Sequence, residues 1–183
     1  MNIFYLDNNT QKCAEYHVDR HCVKMIVEYA QLLSTAHRVL DGVLLTGISD
    51  TGRKTTSWIL PDKRNDILYK ATHLNHPSAI WVRNSYDNYM WLRSLLYKLT
   101  KEYTYRYGKV HKVMHSGLYE ALSYAPINIK LGKFTEPTPA MPEEYIVSGD
   151  SIVSYKNYYN GSKQHLHNWK LRPIPDFIEV IQC

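Results

Sequence analysis

The stretch TQKCAEYHVDRHCVKMIVEYAQLLSTAHRVL, residues 10–40, holds no proline and no glycine. Asn9 and Thr10 offer capping oxygens at its start and Gly42 follows its end, so it reads as one long helix. On such a helix His17, His21, Lys24, Glu28, Gln31 and Thr35 fall on one stripe roughly 80° wide. Almost everything else from Cys22 to Ala36 is apolar. A surface helix has the opposite balance, with a narrow apolar stripe and a broad polar face. This helix is therefore expected to be buried on most sides, with a thin polar line left over.

A polar line in a dry interior needs partners, because an unpaired buried charge costs on the order of several kcal/mol or more. Two arrangements satisfy it. Lys24 and Glu28 can form an i, i+4 pair, worth only a few tenths of a kcal/mol on a solvated face. Alternatively the line borders a cleft. Two histidines, a lysine and a glutamate are the side chains of proton transfer and imine chemistry. We therefore take Lys24, Glu28, His17 and His21 as the candidate catalytic set, with burial and the two histidines expected to make the Lys24 amine less basic.

The chain has 183 residues and is 44% hydrophobic, which suits one domain, 1–183, with one core. No apolar run is long enough to span a membrane, and the start, MNIFYLDNN, lacks the pattern of a signal peptide. Cys13, Cys22 and Cys183 are too few and too scattered for a disulfide framework, so a reducing, cytoplasmic setting is expected. His73, His76, His111 and His115 have spacings that allow shared ligation, but no carboxylate cluster supports them, so no metal is expected. No glycine-rich phosphate loop is present, and no cofactor is expected.

Net charge is +5 and the isoelectric point about 9.0. The sequence also interleaves 16 tyrosines and 4 tryptophans with its basic residues. Basic groups neutralise phosphates and aromatic faces stack on bases, so the pattern points to an acidic partner of the nucleic-acid kind. Two segments carry the pattern most densely. The first supplies Tyr105, Arg106, Tyr107, Lys109 and Lys112; the second supplies Tyr155, Lys156, Tyr158, Tyr159 and Lys163. Many of the other rings are expected in the core.

Along the chain, residues 2–7 are a short apolar segment. Residues 41–61 hold three glycines with several Thr and Ser and read as an irregular connection, followed by a short helix within 62–72. Residues 73–108 contain the second major helix, capped by Asn75 or His76 with Pro77 in its first turn, a break at Asn84–Ser85, and a stop at Gly108. Residues 111–124 show weak helical spacing, and the proline-rich 125–143 reads as extended surface chain. Residues 150–170 read as a helix capped by Asp150 or Ser151, and the tail RPIPDFIEVIQC is expected to pack back on the body.

Three blocks give the chain a resemblance to the phage pyrimidine-dimer DNA glycosylases, also called endonuclease V. They are AEYHVDRH with the following apolar run and HRVLDG, then SYDNYMWLRSLLYKL, then YKNYYNGSK; together they cover under half of the chain. The resemblance implies an all-α, compact single domain packed around a largely buried N-terminal helix, with long irregular loops. It also implies DNA as substrate, with a base extruded. In that family an N-terminal amine attacks the sugar, a Glu on the first helix assists, and an imine leads to strand cleavage. Here His17 matches a histidine of the family's helix, whereas Lys24 stands where the family has its Glu, and Val23 where it has an arginine. Glu28 is the next carboxylate on the stripe, and Asn2 follows Met1, so the initiator is expected to be retained.

Three functions are open to such a chain. The first is a monomeric DNA glycosylase with AP lyase activity on a damaged or modified pyrimidine, with Lys24 as nucleophile and Glu28 handling protons. The second is a transferase that modifies an extruded pyrimidine, which needs a second substrate and leaves the strand intact. The third is a DNA-binding protein without chemistry, in which the polar stripe is structural.

Overall fold

The structure, a computed structural model, describes residues 1–179. Helix α1 spans Thr10–Tyr16, and the Asn9 side chain accepts hydrogen bonds from the Gln11 and Lys12 amides at its start. The chain then leaves helical geometry at His17 and Val18, and α2 runs from Asp19 to Asp41. The expected single helix is thus two. The cause lies ninety residues away. Arg106, fully buried, donates to the carbonyls of Glu15 and His17, both at 2.8 Å, and to the Asp19 carboxylate at 2.9 Å. A helix end leaves its last carbonyls without partners, and this guanidinium supplies them.

After Gly42 the chain forms a hairpin rather than an irregular excursion. Strand β1, Val43–Ile48, pairs antiparallel with β2, Lys54–Ile59, in register from Val43 opposite Ile59 to Ile48 opposite Lys54. The hairpin stands out from the body with nearly all its residues exposed. Its base is held by Arg38, whose guanidinium donates to the carbonyls of Trp58, Asn65, Leu68 and Tyr69. The expected helix within 62–72 is the single turn α3, Arg64–Ile67.

The second long segment divides where Ser85 stands. His76 caps α4, Pro77–Asn84, by accepting from the Ser78 amide, with Pro77 at its first position. Ser85 is extended, and its hydroxyl accepts from the Asn88 amide to cap α5, Tyr86–Tyr107. Gly108 ends α5 at φ +65°, a left-handed conformation that glycine adopts without steric cost. Two single turns follow, α6 (Lys112–His115) and α7 (Leu118–Ala121). The proline-rich stretch has no regular element until a 3₁₀ turn at Glu143–Tyr145, and Asp150 then caps α8, Ser151–Ser162.

About half of the chain is helical, with one small two-stranded sheet, so the architecture is mostly helical and compact and not strictly all-α. Helix α2 packs against α4 and α5, and α1 packs against α5. The N-terminal segment Ile3–Leu6 is buried with them, which puts Met1 and Asn2 beside α2. Among the described residues no helix is long and apolar enough to cross a membrane. Cys183 and the end of the tail lie outside the described residues.

Candidate functional site: a cationic cleft around Glu28

Three residues of the polar stripe, His21, Lys24 and Glu28, stand one above another on α2 and border a cleft of about 330 Å³. The N-terminal segment brings in Met1 and Phe4, the start of α4 brings in His76, and α8 with the residue after it brings in Tyr158 and Lys163. Asn2 fixes the N-terminal segment there. Its amide nitrogen donates to the Ala140 carbonyl at 2.8 Å, and its Oδ1 accepts the Tyr155 hydroxyl at 2.6 Å.

Among the described residues Glu28 is the cleft's one acidic side chain, and it engages two primary amines. Lys24 Nζ lies 3.2 Å from Oε1, and the Met1 amine lies 3.8 Å from Oε2. Glu28 is 15% exposed and Lys24 70% exposed. Lys24 therefore lacks the burial that the stripe led us to expect, and His17 is not beside it. Lys163 adds a third amine, 4.5 Å over the centre of the Tyr158 ring. Three amines against one carboxylate leave the cleft with an excess of positive charge, suited to an anionic ligand.

The two histidines have different places. His17 is fully buried and is not part of the cleft. Its Nδ1–H donates to the Cys13 carbonyl at 2.6 Å, its Nε2 accepts the Tyr29 hydroxyl at 2.8 Å, and the Tyr29 oxygen accepts the Phe4 amide at 3.2 Å. Every polar atom of that chain is satisfied, so His17 holds the N-terminal segment against α2. Burial lowers its pKa to about 4. His21 does reach the cleft. Its ring stacks on Phe4 at 4.0 Å and its Nδ1 lies 2.7 Å from the Tyr159 hydroxyl. Burial, with the charge of neighbouring cations adding to it, lowers its pKa to about 3.

Of the expected DNA-contacting residues, Tyr158 and Lys163 line the cleft. Arg106, Tyr155 and Tyr159 are buried and cannot meet DNA without unfolding. Arg106 is an internal cation between Glu102, at 2.7 Å, and Asp19. Tyr155 and Tyr159 are core residues four apart on α8, about one turn of helix, while Tyr158 is half-buried, packing on the core beside the cleft. Lys156 lies over the Phe177 ring and Tyr107 lies under Lys170. Tyr105, Lys109 and Lys112 are exposed at or beyond the end of α5 and are not part of the cleft.

The cleft residues that the sequence did not indicate are Phe4 and His76, together with Met1 in the role of a second amine on Glu28. All three arrive through tertiary packing and carry no local signal. Among the described residues no three His, Cys, Asp or Glu side chains come together in a way that would hold a metal ion. Compared with known proteins, the chain matches no family model, no curated protein and no solved structure.

Proposed function

We propose that the chain is a DNA-acting enzyme, a glycosylase with AP lyase activity that works through an amine in the Glu28 cleft. The observation that supports this best is one partly buried carboxylate engaged with two primary amines, in a cationic cleft walled by Phe4, His21 and Tyr158. Amines form imines with an opened sugar, a neighbouring carboxylate moves the protons, aromatic walls suit an extruded base, and the surplus cations suit the phosphates.

Lys24 is the nucleophile in this scheme. Glu28 takes a proton from the Lys24 ammonium, the freed Nζ attacks C1′, the bond from C1′ to the base breaks as Glu28 passes that proton to the departing base, and Nζ gives a second proton to the water that serves O4′. The C1′–O4′ bond then opens, O4′ takes a proton from water, and the protonated imine remains. Glu28 takes the C2′ proton, the C3′–O3′ bond breaks with its electron pair leaving on the phosphate, and water releases the sugar from Nζ. The Met1 amine is the second group placed to begin the same sequence. We place the enzyme as a cytoplasmic monomer, in keeping with the free, buried thiols of Cys13 and Cys22.

The test is incubation of the protein with a duplex containing an abasic site and with UV-irradiated DNA, followed by strand analysis and nucleoside mass spectrometry. Strand cleavage on both DNAs is expected. An altered nucleoside on an intact strand would replace the glycosylase with a base-modifying transferase. Binding with neither product would leave a DNA-binding protein.

A further inference from the structure

The imidazole that borders the cleft has its tautomer set by the residue behind it. Tyr159 is fully buried, and its hydroxyl oxygen lies 2.7 Å from His21 Nδ1. The hydroxyl proton itself needs an acceptor, since a buried donor left unpaired is costly, and His21 Nδ1 is the acceptor within reach. Donation therefore runs from Tyr159 to His21. A neutral imidazole carries one N–H, and with Nδ1 accepting, that N–H is at Nε2. His17 has the opposite tautomer, because its Nδ1 meets the Cys13 carbonyl, which only accepts.

The ring is also held in place. Phe4 stacks on one face at 4.0 Å, and the Tyr159 bond fixes the rotation about the ring plane. Burial keeps the imidazole neutral. Among the described residues Nε2 has no protein partner, on a ring that borders the cleft beside Lys24 and Glu28.

We propose that His21 is a neutral, fixed hydrogen-bond donor for a ring carbonyl oxygen of an extruded base, with Tyr159 as its positioning residue. This rests on the DNA-base function proposed above. An amino group at the same place would set N–H against N–H, so the base selected is one that turns a carbonyl to the cleft. As the glycosidic bond breaks, negative charge gathers on the departing pyrimidine, including its O2. A donor fixed beforehand stabilises that charge without giving up a proton. The flexible ammonium groups of Lys24 and Lys163 hold charge but do not fix direction in this way.

The first test needs no activity. Nitrogen NMR of protein labelled with ¹⁵N-histidine, at neutral pH, should show His21 protonated at Nε2 and bare at Nδ1, with His17 the reverse. Tyr159→Phe should turn the His21 signals into a mixture of tautomers. A His21 protonated at Nδ1, or at both nitrogens, would overturn the assignment. The second test uses His21→Phe, which keeps the stack on Phe4 and removes the donor. Base release should slow about 100-fold, and this loss should exceed the loss in cleavage at a ready-made abasic site at least about tenfold. Equal losses on the two substrates would overturn the role. A protein that releases no base at all, with the tautomers as assigned, would instead remove the glycosylase function.

Discussion

Replacing Arg106 by methionine separates a structural cation from a DNA contact. Arg106 makes four donations, to Glu102, Asp19 and the carbonyls of Glu15 and His17. Methionine keeps much of the side-chain volume and removes all four. Glu102 retains both bonds from Arg172, at 3.0 and 2.8 Å, and Asp19 retains the Lys170 amide at 3.0 Å. Among the described residues the two carbonyls at the α1–α2 break have no other donor. At about 1–3 kcal/mol for each polar group left unsatisfied, plus the weakened hold on a buried carboxylate, the loss comes to about 3–5 kcal/mol, the range for removing one partner of a buried ion pair. For a chain of this size that is a fall in Tm of roughly 6–20 °C. Arg172→Met, which removes a part-exposed partner and leaves Arg106 on Glu102, should cost less. Urea unfolding of the three proteins measures this. A loss below about 1 kcal/mol for Arg106→Met, accompanied by weaker DNA binding with a shallower salt dependence, would refute the reasoning and return Arg106 to the phosphate-binding surface.

Three further predictions follow from particular groups. His17, His21 and His37 have pKa values lowered mainly by burial, to about 4, 3 and 4. The unfolded chain takes up their protons below about pH 6.5 and the folded chain does not. Stability should therefore be full above pH 6.5 and fall as the pH drops toward 4, by up to about 1.4 kcal/mol per pH unit for each histidine; urea midpoints across that range should flatten in a His17→Gln variant, and a parallel decline would contradict the assignment. Ser85→Ala removes the α5 cap and the bond from Ser85 to the Lys133 carbonyl, and thermal unfolding should show a loss of about 1–2 kcal/mol; no change would mean that α4 and α5 meet without that cap. Glu28→Gln keeps the shape of the cleft and removes its carboxylate, so strand cleavage at an abasic site should fall about 100-fold or more with DNA affinity unchanged or higher, and full activity would remove Glu28 from proton transfer.

The parts of the fold that were legible in the sequence are those decided by neighbours along the chain. Asn9, Ser85, Asp150 and Gly108 each act on a backbone group within four residues, and each marks the element end it was read to mark. The break between α1 and α2 was not legible, because the group that makes it, Arg106, is distant in sequence and its own neighbours suggest a surface cation. The hairpin was missed for a related reason. Both of its faces are exposed, so VLLTGI and KTTSWI carry no clean alternation of polar and apolar residues.

The site divides the same way. His21, Lys24 and Glu28 lie on one stripe by helical spacing alone, and the structure keeps them together. His17 has the same spacing and is lost from the stripe, because the α1–α2 break changes the phase of the helix before it reaches Asp19. In YKNYYNGSK the composition suggested one DNA-facing segment. The helical period puts Tyr155 and Tyr159 on one buried face, a pairing that applying it to the segment would have given, whereas Tyr158, half-buried on the same side, owes its place in the cleft to packing. Met1, Phe4 and His76 reach Glu28 only through packing of the N-terminal segment and α4 against α2.

The most direct test of the amine mechanism is borohydride reduction of the protein on DNA carrying an abasic site, with the joined residue located by peptide mass spectrometry. The expected result is a covalent adduct on Lys24 that is absent from Lys24→Ala. An adduct on Met1 would keep the imine and move the nucleophile to the other amine on Glu28. Bound DNA with no adduct in the unaltered protein would contradict the mechanism outright.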